Sequence, residues 1–301
     1  MLADVAQAAE PERGQLDASP TLFAVMAAIN AAGYNADAAS PTNSPLRETI
    51  RKELAAKHIP SLPALRDFYL QHRQDDATAD LSQYISFALS SDGPPKFALR
   101  GRTVETPPDA AALDGFGPLL AKFYQEAHLE DLWNRSQPAF EQTIERYHEA
   151  VAEAVLQVNG FLRNETSGTS TGWFQIYIDL LGAPNQIQTR SYGKSYFVVI
   201  TPSAEPRIRD VRHAYLHYLL DPMASRHEEL VMRKRGLADH AQRAPALDQS
   251  FKSDYLLLVT ESLIKSIEAR LDKQPAMVNQ AMREGYILTA YFAEQLQAYL
   301  K

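Results

Sequence analysis

His213 and His217 stand four residues apart in "IRDVRHAYLHYLLDP", residues 208–222. Four residues turn an α-helix by about 400°, so the two rings are offset by only about 40° and point the same way. Two neutral imidazoles so placed can reach one divalent ion at about 2.0–2.1 Å, as zinc sites require. The plain alternative is a pair of helical histidines that pack or hydrate separately. A third candidate ligand, Glu261, lies in "DYLLLVTESLIKSIEARLDK" (254–273), just after the apolar run from Tyr255 to Val259. A carboxylate set against such a run sits at a buried edge and needs a partner. That partner is either a metal ion shared with the histidines or Lys265, one helical turn on. Glu268 is a secondary candidate ligand, since with Arg270 it reads as part of a solvated helix end.

These residues must be carried by helices. Ser203 reads as the cap of the histidine helix, with Glu205 at its positive end and Pro206 in its first turn. Asp221-Pro222 reads as its stop, and Ile208, Val211, Tyr215 and Leu219 form an apolar stripe. Before it the chain changes period. "TGWFQIYIDLLGAP" (171–184) alternates apolar and polar residues, and "NQIQTRSYGKSYFVVITP" (185–202) reads as a hairpin turning at Tyr192-Gly193. The first half reads as helices over 20–35, 43–58, 61–73 and 79–91, with Ser44, Pro45 and Glu48 marking a helix start. A Pro- and Gly-rich break at 91–109 follows, then helices over about 110–133 and 138–160. Helices resume over about 205–220, 223–236, 248–272 and 276–300.

The fold class is therefore α+β: mostly helical, with a small antiparallel sheet of about three strands preceding the "HAYLH" helix. The expected organisation is a flexible start (1–18), a helical region (19–160) and an α+β region (161–301), the last two forming one continuous globular unit.

Composition narrows the function. The chain has 301 residues, 45% hydrophobic and 22% charged, as in ordinary globular proteins. A net charge of -7 argues against nucleic acid as a partner, since phosphate binding needs a basic face. The short run "MRKRG" (232–236) reads as a solvated helix end. With no cysteine there is no disulfide, thiolate zinc ligand or thiol nucleophile. No apolar run approaches the ~18–20 residues of a membrane span. The first residues carry no basic-then-apolar signal, which fits either a trimmed exported chain or a frayed cytosolic one.

The order strand, "HAYLH" helix, "TESLIKSIEAR" helix resembles the gluzincin branch of the zinc metallopeptidases, over roughly residues 170–272. In that group a His-Glu-x-x-His helix supplies two zinc ligands and a glutamate on a later helix the third. The resemblance implies His213, His217 and Glu261 as a zinc set. It implies strand 195–201 as an edge strand able to pair with an extended peptide. It also implies a bacterial, exported setting, and Tyr286 as a donor to the oxyanion. It departs from the family at Ala214, where the general-base glutamate belongs. General acid–base help is worth about 10²–10⁴ in rate, so the implied protein is a pseudoenzyme that holds zinc and a peptide without cleaving it. Three alternatives stay open: an active peptidase carrying an engineered alanine, a base supplied by Asp210 or Glu228, and a metal-free helical binding or scaffold protein. In the last, Tyr215, Tyr286 or Arg212 would tie up the histidines.

Other residues point less well to chemistry. Ser167, Ser170 and Thr171 in "NETSGTSTGW" lack the nucleophile-elbow pattern of serine hydrolases. His128 and His148 sit amid charge and read as surface residues. His227, with Glu228 and Glu229, has Val231 where a second ligand would fall, and reads as a polar helix face. The stripe Tyr286, Leu288, Tyr291, Phe292 and Leu296 reads first as core.

Overall fold

The structure, a computed structural model, describes residues 16–100, 106–164 and 173–299. It is α+β and mostly helical, as the periodicity predicts. Strand β1 (Leu16–Ala18) leads into helices α1 (Pro20–Ala32), α2 (Pro45–Ala56), α3 (Leu62–Gln71), α4 (Ala77–Ser90), α5 (Pro108–Ala111), α6 (Phe116–Glu126) and α7 (Leu129–Leu162). Strands β2 (Trp173–Ile178), β3 (Gln186–Tyr192) and β4 (Ser195–Thr201) follow. After them come α8 (Ile208–Arg226), α9 (Glu228–Met232), a short 3-10 turn, α10 (Ala238–Gln242), α11 (Gln249–Ser253), α12 (Tyr255–Leu271), α13 (Ala276–Glu284) and α14 (Thr289–Tyr299). Residues 1–15, and with them most of the expected flexible start, lie outside the described residues, as do Ser167, Ser170 and Thr171.

Among the described residues the sheet has four strands in the order β1-β2-β4-β3, where about three were expected, and it corrects the expected strand directions and edge. Only the β3–β4 hairpin is antiparallel; β1 runs parallel to β2, and β2 parallel to β4. The hairpin turns at Gly193, whose φ of 59° is the left-handed conformation that glycine adopts without strain. Strand β4 is therefore interior. Its backbone is hydrogen-bonded to β2 on one side and β3 on the other, so strand 195–201 is no edge on which a peptide can add. The sequence hid this because local alternation marks β2 and β4 as strands but does not say that they lie side by side in parallel.

The chain divides into two compact units. The first comprises Met1–Glu149 and Ser170–Arg207, so all four strands group with the amino-terminal helices rather than with the histidine helix. Its central element is α1, capped by the Ser19 hydroxyl and buried at every position from Thr21 to Asn30. Beside it lies a buried polar cluster. Asp179, 2% exposed at the end of β2, accepts hydrogen bonds from Leu181 N–H (2.8 Å) and the Thr201 hydroxyl (3.4 Å). Gly182 is required there: a Cβ would stand 2.5 Å from Asp179 Oδ2. Arg47, also 2% exposed, donates to the amide oxygens of Asn30 (3.2 Å) and Asn43 (2.8 Å) and lies over the Tyr34 ring. Burial pushes Asp179 up to about 6, against the lowering effect of its hydrogen bonds and the Arg47 charge.

The second unit comprises Ala150–Thr169 and Ile208–Lys301. Helix α12 is its axis, packing against α8, α13 and α14. Asp254 caps it by accepting the Leu257 N–H (3.0 Å), and Lys273, in the left-handed region, ends it. Its buried serines return hydroxyl bonds to the backbone: Ser262 to Leu258 O, and Ser266 to Ser262 O and to Thr289 O on α14. Leu258, Tyr255, Leu247 and Ala241 form a core cluster. Helix α7 is one helix through Pro138; the break expected near there falls instead at His128, whose φ of 52° ends helical geometry. Likewise α8 does not stop at Asp221-Pro222 but carries Pro222 inside it to Arg226.

Candidate metal centre

Helices α8 and α12 bring together all three residues singled out by spacing, and they do so within one unit. The two helices are fixed by a buried ion pair, Arg212 to Asp272 (2.7 Å), with Arg209 reaching the same carboxylate at 3.3 Å. Arg212 is thus committed to Asp272, and the Tyr215 hydroxyl donates to Asn159 Oδ1 (2.9 Å) at the end of α7.

The ligand atoms converge. His217 Nε2 lies 3.2 Å from His213 Nε2 and 3.1 Å from Glu261 Oε2, and His213 Nε2 lies 3.5 Å from the same oxygen. Two atoms each about 2.0–2.1 Å from one ion at a tetrahedral angle stand about 3.3–3.4 Å apart. The three observed separations bracket that value. Three ligands leave a fourth tetrahedral position, the pattern of open rather than closed zinc sites.

The opposite ring nitrogens are also held. His217 Nδ1 faces Asp221 Oδ1 at 3.0 Å, and His213 Nδ1 faces Glu268 Oε1 at 3.2 Å. Assigned from this network, each Nδ1 carries the proton and donates it to a carboxylate. When neutral, each imidazole presents its Nε2 lone pair inward, where the Glu261 carboxylate also points. Three acceptors facing one another need a positive charge among them, either a cation or a proton. The charge count agrees. Glu261, Glu268 and Asp221 against Lys265 leave two negative charges when both histidines are neutral, which one divalent cation balances.

The acid–base behaviour follows the same geometry. Burial works to lower His217, yet its bonds to Asp221 and Glu261 outweigh it and push the pKa up to about 9. Burial works to raise Glu261, yet the His217 bond and the charges of His213 and Lys265 hold it below the usual carboxylate range. Lys265 Nζ contacts Glu261 Oε1 at 3.3 Å and lies 4.4 Å from the centre of the Tyr286 ring. Glu261 thus turns one oxygen to the imidazoles and the other to Lys265, so the pairing with Lys265 is present and the group that could share a metal is assembled beside it.

No family model, curated protein or solved structure matches this chain. The centre stands on its own geometry.

Ala214, at the general-base position, is 2% exposed and packed into the core of its unit. Tyr286 stacks edge-on with Phe251 and holds Lys265 over its face; burial, then the nearby Glu261 charge, pushes its hydroxyl up to about 12. His128, His148 and His227 are exposed, as read, and so are Glu228 and Glu229. Sequence reasoning missed Asp221 and Glu268. Asp221 lies four residues beyond His217, and Glu268 seven beyond Glu261, about 20° off two full turns. The extended pattern His-x3-His-x3-Asp would have found the first. The second was obscured by Arg270, the exposed neighbour that made the segment look solvated.

Proposed function

We propose that this chain is a zinc-binding, metallopeptidase-like protein that has lost the general base of hydrolysis. The observation that carries the reading is the meeting of His213 Nε2, His217 Nε2 and Glu261 Oε2 within 3.5 Å, with a carboxylate behind each imidazole. Zinc fits better than calcium or magnesium, because two of the three donors are imidazole nitrogens. Bound there, it would supply a Lewis acid that lowers the pKa of a water molecule to about 7. The chain itself supplies the orientation of both imidazoles and a carboxylate ligand held by Lys265. It supplies no carboxylate at position 214, where the family's general base stands, since that residue is alanine. Peptide cleavage by the gluzincin route is accordingly lost, and the centre serves binding.

Metal analysis tests this directly. Protein stripped with a chelator and reloaded is expected to hold one zinc per chain, and His213→Ala to hold none. A wild-type chain that takes up no zinc at micromolar concentration sinks the proposal and leaves a protonated His217 as the cation of the cluster. The variant Ala214→Glu separates a missing base from a diverged site. Because position 214 is buried, adding a carboxylate there is expected to cost about 1–3 kcal/mol in stability and to restore no cleavage of a broad peptide mixture. Robust cleavage by Ala214→Glu would instead mark the alanine as the sole defect in a peptidase.

A further inference from the structure

The first unit contains a cavity of about 520 Å³, inside the range of about 300–1,000 Å³ typical of small-molecule sites. It is bounded by the start of α1, the end of α4 with the segment after it, and one face of strands β2 and β4. Strand alternation puts Trp173 and Tyr177 on that face of β2. The β2–β4 register places Phe197 opposite Gln175, between them. Trp173 is 61% exposed, an uncovered apolar plane at the cavity wall. Tyr177 and Phe197 are nearly parallel, with an interplanar angle of 11° and centroids 6.3 Å apart.

The polar lining includes Asp17, Asp92 and Arg100. Arg100 donates one N–H to Leu89 O at 2.7 Å, and Asp17 Oδ1 accepts the Ala18 N–H at 2.7 Å, so two carboxylates stand against one guanidinium. That balance disfavours phosphate or carboxylate ligands. An organic cation would suit the carboxylates but is best enclosed by rings at steep angles to one another, unlike the parallel pair Tyr177 and Phe197. A sugar ring matches both features. Its C–H face lies flat on an aromatic plane, and its hydroxyls donate to carboxylates. Trp173 and Tyr177, four residues apart on one strand, are about 13 Å apart along it, longer than one such ring.

We propose that this cavity binds a saccharide of at least two linked rings, with Trp173 as the stacking platform and Asp17 and Asp92 as hydroxyl acceptors. The site is independent of the metal centre. The probe is a glycan array carrying neutral, acidic and amino-sugar chains, read with the full-length protein. Calorimetric titrations with tetramethylammonium chloride and sodium phosphate run beside it. The expected result is saturable retention by a subset of glycans, at least tenfold weaker for Trp173→Ala and for Asp92→Asn. His213→Ala should bind them as the wild type does. Because Trp173 is exposed, Trp173→Ala should keep its circular dichroism spectrum; Trp173→Phe, which keeps a ring, should retain part of the binding. Glycan signals no higher than those of Trp173→Ala overturn the proposal. So does heat from tetramethylammonium or phosphate with no glycan retained on the array.

Discussion

Asp179 in the first unit and Glu261 in the second are both carboxylates almost wholly removed from water, at 2% and 3% exposure. Their acidities move in opposite directions. Asp179 rises to about 6, because burial outweighs the hydrogen bonds from Leu181, Thr201 and Gly182 and the field of Arg47. Glu261 falls, because two imidazoles and Lys265 touch it and outweigh its burial. Burial penalises the charged form; hydrogen bonds and cationic partners in contact reverse it only where together they outweigh that cost. The nearest large cation to Asp179, Arg47, spends its bonds on the neutral amides of Asn30 and Asn43, and its Nη2 finds no partner among the described residues. The first unit therefore tolerates a poorly matched pair, whereas the second concentrates cations and anions around one point. The second unit is thus the one whose His213, His217 and Glu261 group could hold a metal ion.

Removing a ligand is the hardest blow to the comparison. Glu261→Ala and His217→Ala are each expected to weaken zinc by more than the roughly 10–100-fold that loss of a supporting partner costs. A chelator competition titration reads it. Binding that survives Glu261→Ala within threefold would make the carboxylate a bystander and dissolve the contrast with Asp179.

The next effect lies in the first unit. A carboxyl whose folded pKa is raised favours the protonated form in the fold. Its stabilising contribution is complete below its unfolded value, near 4, and fades as pH rises through about 6. A shift of about two units corresponds to about 3 kcal/mol. Asp179→Asn fixes the neutral form. Urea midpoints should show the variant gaining on the wild type as pH rises from 4 to 7.5, with no further gain above that. A constant difference across that window would mean Asp179 is ionised in the fold, matched by Arg47 after all.

Asp221→Ala and Glu268→Ala remove the carboxylates behind the imidazoles and are expected to cost about 10–100-fold in zinc affinity each. If both cost nothing, the rings are oriented by packing alone.

The sequence disclosed the centre of the site but not its surroundings. Helical spacing sufficed for His213 and His217, and the apolar run before Glu261 sufficed to mark a buried carboxylate. Asp221 was hidden because proline after it reads as a terminator, while tertiary packing carries α8 through Pro222. The sheet order was hidden for a different reason. Local alternation announces strands but not neighbours, and β1, three residues long, has too little pattern to be seen. The parallel pairing of β2 with β4 made strand 195–201 interior rather than an edge, and with it the expected peptide-binding edge disappeared.

Lys265 gives the smallest and sharpest test of how the second unit is balanced. Its ammonium holds Glu261 Oε1 at 3.3 Å, leaving Oε2 as the oxygen that faces the imidazoles. It also puts a positive charge within a few ångströms of the point where a divalent ion would sit, and like charges repel. The side chain is a quarter exposed, so solvent screens part of that repulsion. Lys265→Met keeps the length of the chain and its packing on Tyr286 while removing the charge. Zinc affinity is therefore expected to rise, by up to roughly tenfold, in the same competition titration. A fall would show that the lysine acts chiefly by positioning Glu261 rather than by its field. It would then be the geometry of one carboxylate, more than the charge around it, that separates this centre from the cluster at Asp179.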